Sequence, residues 1–194
     1  MTKLHGWLAA VLLTAAALPA KAETLDLNIN DDAVFGQFSG PLSHVFNNAD
    51  GEYQLGGLYS DDKNLSLTNL HAGFMLSGDA GAQEAKLTAG IGLRGQYTDT
   101  KVDTGGGAAI GGQFDVRFAG FDRLGFQGYV WYQPKVLGLG DIDSQLDWAL
   151  TADYQILRNA AVYLGYRKVR IDSSKNHGNY TADDGAIFGL RLTF

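Results

Sequence analysis

The chain has 194 residues with 15 basic and 21 acidic side chains, a formal charge of −6, 26 glycines, 3 prolines and no cysteine. That acidic balance argues against nucleic acid as a partner, and the missing cysteine excludes a disulfide scaffold and any thiolate-held metal. The length suits one domain or one small barrel, and so much glycine beside 10 Phe and 9 Tyr favours many strands joined by tight turns.

Residues 1–22 read as a secretory signal peptide: Lys3 is the positive end, Trp7–Leu18 the apolar stretch, and Ala20-Lys21-Ala22 the cleavage site. The apolar stretch falls short of the ~20 residues that span a bilayer as a helix, no lipid-accepting cysteine follows, and no long apolar run occurs later. Cleavage at Ala22 removes Lys3 and Lys21 and leaves 13 basic against 21 acidic side chains, a charge of −8 on residues 23–194.

Beyond residue 22 the pattern is alternation. Leu25, Leu27 and Ile29 alternate with Asp26, Asn28 and Asn30, and Val34–Ser39 alternates less clearly. Residues 41–51 read as a polar turn. Tyr53, Leu55, Gly57 and Tyr59 mark another strand; Leu65–Leu76 returns, with a change of phase near Asn69 that suggests a bulge. Ala85–Tyr97 sets Leu87, Ala89, Ile91 and Leu93 against Lys86, Thr88, Gly90, Gly92 and Arg94. Ile110–Phe118, Leu124–Tyr132, Leu146–Ile156, Val162–Arg167 and Ala186–Phe194 repeat the two-residue period, with predicted loops at 99–107, 134–144 and 172–184 and short turns at 119–122 and 157–160.

A soluble sandwich or periplasmic barrel also alternates. Here the clearest strands run about 9–13 residues, a bilayer-spanning length when tilted. Tyr97, Phe118, Tyr132, Trp148, Tyr154, Phe188 and Phe194 sit near the ends of the apolar faces, as interfacial girdles do. The opposite faces carry Asp26, Arg94, Asp115, Arg117, Asp147, Asp153, Arg167 and Arg191, charges that could pair inside a lumen. The expected fold is all-β: an antiparallel transmembrane β-barrel of 8–10 strands over 23–194, whose second half alternates short periplasmic turns with longer outer loops. Ten strands result if 25–30 and 34–39 both join the wall, eight if that pair lies outside it.

The runs Leu25–Val34 and Gln155–Arg167, and Asp183-Asp184-Gly185 ahead of the final Gly-Leu-Arg-Leu-Thr-Phe, resemble the YfaZ family of proteobacterial outer-membrane proteins. The resemblance spans residues 23–194 and is most specific over 155–194. It implies an outer-membrane, porin-like protein of unknown role with no agreed catalytic residues. The terminal Phe194 likewise resembles the signal read by the Gram-negative barrel-assembly machinery.

No reaction is legible. His44 beside Ser43, His71 in a strand, and His177 near Asp172, Ser173 and Ser174 make no fixed nucleophile–base pair. They read as ordinary histidines rather than as the machinery of a lipid A- or lipopolysaccharide-modifying enzyme, which stands as the alternative function. Gly105-Gly106-Gly107 lacks the Lys-Ser/Thr of a phosphate loop. Asp141, Asp143, Asp183 and Asp184 read as solvated loop acids without the spacing of a calcium loop. Lys168, Arg170 and Lys175 cluster where a strand leaves the membrane, and read equally as contacts to lipopolysaccharide phosphates or as ordinary rim charge. Small barrels are filled by their own side chains, and only wide ones of about 16–18 strands hold an aqueous channel. The expectation is therefore a monomeric, non-enzymatic barrel with a narrow or plugged lumen, porin-like or structural, with no cofactor and no metal. Its expected partners are outer-membrane lipid, lipopolysaccharide and the assembly machinery.

Overall fold

A computed structural model describes residues 23–44, 46, 51–62, 65–80, 85–174 and 178–194. The proposed leader, 1–22, lies outside them. Among the described residues the strands are β1 (Thr24–Ile29), β2 (Ala33–Pro41), β3 (Glu52–Asp62), β4 (Leu65–Asp79), β5 (Ala85–Thr100), β6 (Thr104–Phe118), β7 (Leu124–Gln133), β8 (Gly138–Gly140), β9 (Ile142–Leu157), β10 (Ala160–Ser173) and β11 (Gly178–Thr193). Ten of them form an antiparallel wall in which each pairs with its chain neighbours, and β5–β6 pairing leaves no free side. β8 is a three-residue addition that pairs with Gly105–Gly107 of β6. The ring closes where Thr24–Ile29 pairs with Thr193–Phe188. The structure thus decides for ten strands, because β1 and β2 both belong to the wall.

Parity follows the sequence pattern. Ile91 is 73 % exposed and Leu164 64 %, and Leu55, Phe74, Ile110, Leu150 and Phe188 also face out. Exposure of that many large apolar side chains around a closed wall marks a surface made for something other than water. Trp148 packs against Tyr166 at 5.7 Å and Phe118 against Phe126 at 6.2 Å on this outer face.

Several expectations need correction. The change of phase near Asn69 is not a bulge: β4 pairs with β3 and with β5 in unbroken register. Leu67 breaks the pattern because it points inward and is fully buried. The loop expected at 172–184 is mostly strand, since β10 reaches Ser173 and β11 begins at Gly178. Its alternation was hidden by a bulge: Val169 pairs with Asp183 and Arg170 with Thr181, so Ala182 and Asp183 are consecutive and both buried. Likewise β5 and β6 extend to Thr100 and from Thr104, and β9 begins at Ile142, shortening the loops expected at 99–107 and 134–144. The loop asymmetry holds only in part. Connections 119–123 and 158–159 lie at the end carrying both described termini, and 134–141 and 174–177 at the other, but 174–177 is no longer than 119–123.

Inside the wall, large side chains lie flat over glycines of the adjacent strand. The Tyr163 ring covers Gly189, its register partner, so closely that a Cβ there would overlap the ring. Trp131 covers Gly111 in the same way. Glycine at these positions makes room for aromatic filling of the lumen, the packing that pins register in curved sheets. Gly189→Ala is expected to cost about 1–3 kcal/mol in urea unfolding of the refolded barrel. Adding Tyr163→Ser should cost less than the sum of the single changes, since the clash is then relieved.

Candidate functional site

Two strands of every hairpin send alternate side chains inward, so the lumen is built in tiers. The half nearest the termini encloses a cavity of about 1080 Å³ that reaches the rim at Thr24, Ser39, Glu52, Ala119 and Gln155. The other half is packed. Ala33, Phe35, Leu58, Leu67, Ile142, Val169, Ile171 and Ala182 form one apolar cluster with Tyr180 against it. Beside it runs an amide and hydroxyl network: Asn69 donates to Thr98 at 2.7 Å, Thr98 to Gln145 at 2.9 Å, and Gln96 to Gln133 at 2.9 Å. Tyr180 donates to Asp103 at 3.1 Å, tying the β10–β11 hairpin to the β5–β6 turn.

Ion pairs separate the two halves. Arg94 reaches Asp147 at 2.8 Å, donates to Gln96 at 3.0 Å, and stacks 4.8 Å over Trp131. Arg167 donates to Asp183 at 2.6 Å and to Asn28 at 2.7 Å, lying 5.5 Å over Phe35. Nearer the termini, Arg191 pairs with Asp26 at 2.7 Å over Tyr163, whose hydroxyl donates to Asp26 and accepts from Asn28. Arg117 sits between Asp153 at 2.9 Å and Asp115 at 3.4 Å, and Gln127 donates to Asp115 at 2.5 Å. All eight charges singled out on the inward faces therefore find a partner, and Arg167 takes Asp183, which the sequence had placed in a loop. Asp183 is thus not a solvated loop acid: the bulge turns it inward.

The remaining candidates stay apart. Lys168 pairs with Asp184 at 2.7 Å and Arg170 lies 3.9 Å from Asp172, both on the outer face of β10; Lys175 lies outside the described residues. Lys135 pairs with Asp143 at 2.6 Å, and the Asp141 carbonyl accepts from Ser174 at 3.1 Å. His44 sits 3.7 Å from Glu23. His71 is buried in the wall, 3.2 Å from Gln37 and 3.4 Å from Asn69, stacked on Phe35 at 6.0 Å. His177 lies outside the described residues. Among the described residues no group of three His, Asp or Glu side chains converges as a metal site. The Phe194 amide donates to the Glu23 carbonyl at 2.8 Å, fastening the terminus to the start of β1.

Sequence reasoning missed the apolar half of the lumen and the Asn28–Tyr163 contact. A signal existed: Leu58, Leu67, Val169 and Ile171 share parity with the polar Gln54, Asn69 and Arg167 of the same strands.

A family described as "YfaZ precursor" matches residues 1–194. No curated protein matches the chain. Among solved structures it is similar to a chain described as "KdgM porin", at 8% identity over 90% of this chain and 99% of that one, with a TM-score of 0.46.

Breaking one buried pair leaves its partner's charge without compensation, which costs about 3–5 kcal/mol, whereas removing both is far milder. Arg167→Met should destabilise the refolded barrel by that amount in urea titration. Arg167→Met with Asp183→Leu is expected to recover most of the loss.

Proposed function

The chain belongs to the YfaZ family, and from that premise we propose that residues 23–194 form an outer-membrane barrel whose resting lumen is occluded: porin-like in construction, not a diffusive pore, and not an enzyme. The observation that carries this reading is the division of the lumen. A wide cavity opens at the end bearing both termini and stops at the Arg94–Asp147 and Arg167–Asp183 pairs, above which Leu58, Leu67, Ile142, Val169 and Ile171 fill the cross-section. Ten strands enclose too little width to keep both this filling and a through-channel.

Support for the location is the outer belt of exposed Ile, Leu and Phe with aromatic residues toward its ends, on a wall with no open edge. Residues 1–22 would direct export and be removed at Ala22. Phe194, held to Glu23, would present the assembly signal from the periplasmic end. That orientation puts the β10–β11 hairpin on the cell exterior, with Lys168 and Arg170 at the level of lipopolysaccharide phosphates and the barrel acting as a monomer. The lipid-modifying alternative has nothing to favour it, since His44 and His71 approach no hydroxyl nucleophile in the contacts they make.

The test is planar-bilayer recording of the refolded chain 23–194. The unmodified protein is expected to insert without conductance steps. A variant in which residues 170–181 are replaced by a two-residue glycine turn, removing Ile171, Tyr180 and their cover, is expected to give brief salt-dependent steps. Steady conductance from the unmodified protein would overturn the occluded reading.

A further inference from the structure

The cavity in the terminal half is built for more than water. Its roughly 1080 Å³ lies at the upper end of small-molecule sites, which run about 300–1,000 Å³. Four cationic side chains line it (Lys86, Arg94, Arg117 and Arg191) and four carboxylates (Asp26, Glu52, Asp115 and Asp122). Three of the cations are already spoken for: Arg94 by Asp147, Arg117 by Asp153 and Asp115, and Arg191 by Asp26. Their matched charges leave no field of one sign to select an ion.

What the space offers instead is amides and hydroxyls. Gln37, Gln113, Gln127 and Gln155 project from four different strands, with Thr88 and Thr151 between them. Gln54 donates across the barrel to Gln113 at 3.2 Å, and Gln127 donates to Asp115, so two of the four amides are held before any ligand arrives. A side-chain amide offers a donor and an acceptor side by side, the complement of neighbouring hydroxyl groups, each of which can donate and accept. A hydrocarbon would strand those groups without partners, at a cost of about 1–3 kcal/mol each. An ion would find only Lys86, Glu52 and Asp122 outside these pairs, charges of mixed sign, and would otherwise have to break ion pairs that are already formed. Tyr129, half-buried, supplies an apolar patch for carbon–hydrogen faces.

We propose that this chamber is a binding site for a neutral, hydroxyl-rich solute of oligosaccharide size, reached from the end of the barrel that carries both termini. The site deepens the occluded-barrel reading, on which only the side of access rests; binding itself does not depend on the membrane.

The experiment uses residues 23–194 refolded in a detergent without a sugar headgroup. Saturation-transfer NMR is read for maltotriose and raffinose, with citrate and spermidine as ionic probes. Saturable transfer to the neutral sugars and none to the ions is the expected result. Gln113→Ala with Gln127→Ala should weaken maltotriose binding about tenfold while the unheated protein still migrates fast on a detergent gel. Should that variant not fold, Trp148→Phe leaves Trp131 as the single tryptophan beyond residue 22, and its emission should shift with the NMR midpoint. No saturable transfer from either sugar, preference for an ion, an undiminished affinity in the folded double variant, or a tryptophan that does not follow the titration would each overturn the site. If these fail while the bilayer stays silent, the occluded barrel stands and only the ligand is lost.

Discussion

Closure is the constraint from which the rest follows. A sheet of ten strands has two edges, and each edge is a row of unmatched amide and carbonyl groups that apolar surroundings do not tolerate. Pairing Thr24–Ile29 with Thr193–Phe188 removes both edges at once. Once the ring is shut, each residue has only two options, inside or outside, and the two-residue period of the strand assigns them. The outside is then free to be apolar throughout. The inside must accommodate everything else in a cross-section too narrow for loops or helices.

The two halves of that interior solve the filling problem differently. Toward the β10–β11 tip, leucine, isoleucine and valine meet across the axis and behave as the core of a small soluble protein would. Toward the termini, ion pairs hold charges that would be costly alone. Three of the four luminal arginines are doubly secured, by a carboxylate at the edge and an aromatic ring under the plane: Arg94 on Trp131, Arg167 on Phe35, Arg191 on Tyr163. Those rings fit because glycine stands opposite two of them, Gly111 and Gly189. The glycine-rich composition is thus tied to the arginines through aromatic rings.

Much of this was legible from residue order. Alternation through Ala85–Tyr97 and Leu146–Ile156 located strands and separated Leu93 and Leu150 from Arg94 and Asp147, because a strand with one apolar face admits a single parity. The failures share one cause. Leu67, Ile142, Val169 and Ile171 are apolar residues facing inward, and on a barrel whose outer face is also apolar they erase the contrast that marks direction. The bulge at Ala182–Asp183 did the same from the polar side, making strand look like loop and hiding the partner of Arg167. Arg94–Asp147 and Arg191–Asp26 could be guessed as charge types but not as couples, since the first pair spans the lumen and the second depends on the register in which the last strand meets the first. The chamber was illegible: an empty volume leaves no residue in the chain to announce it.

The wall is not equally strong all the way round. β1 is its shortest strand, joined by six residue pairs to β11 on one side and by six to β2 on the other, against fourteen between β10 and β11. Local opening costs least where the fewest backbone hydrogen bonds hold a strand. Amide-proton exchange is therefore expected to begin along Thr24–Ile29, where the fewest backbone hydrogen bonds must open.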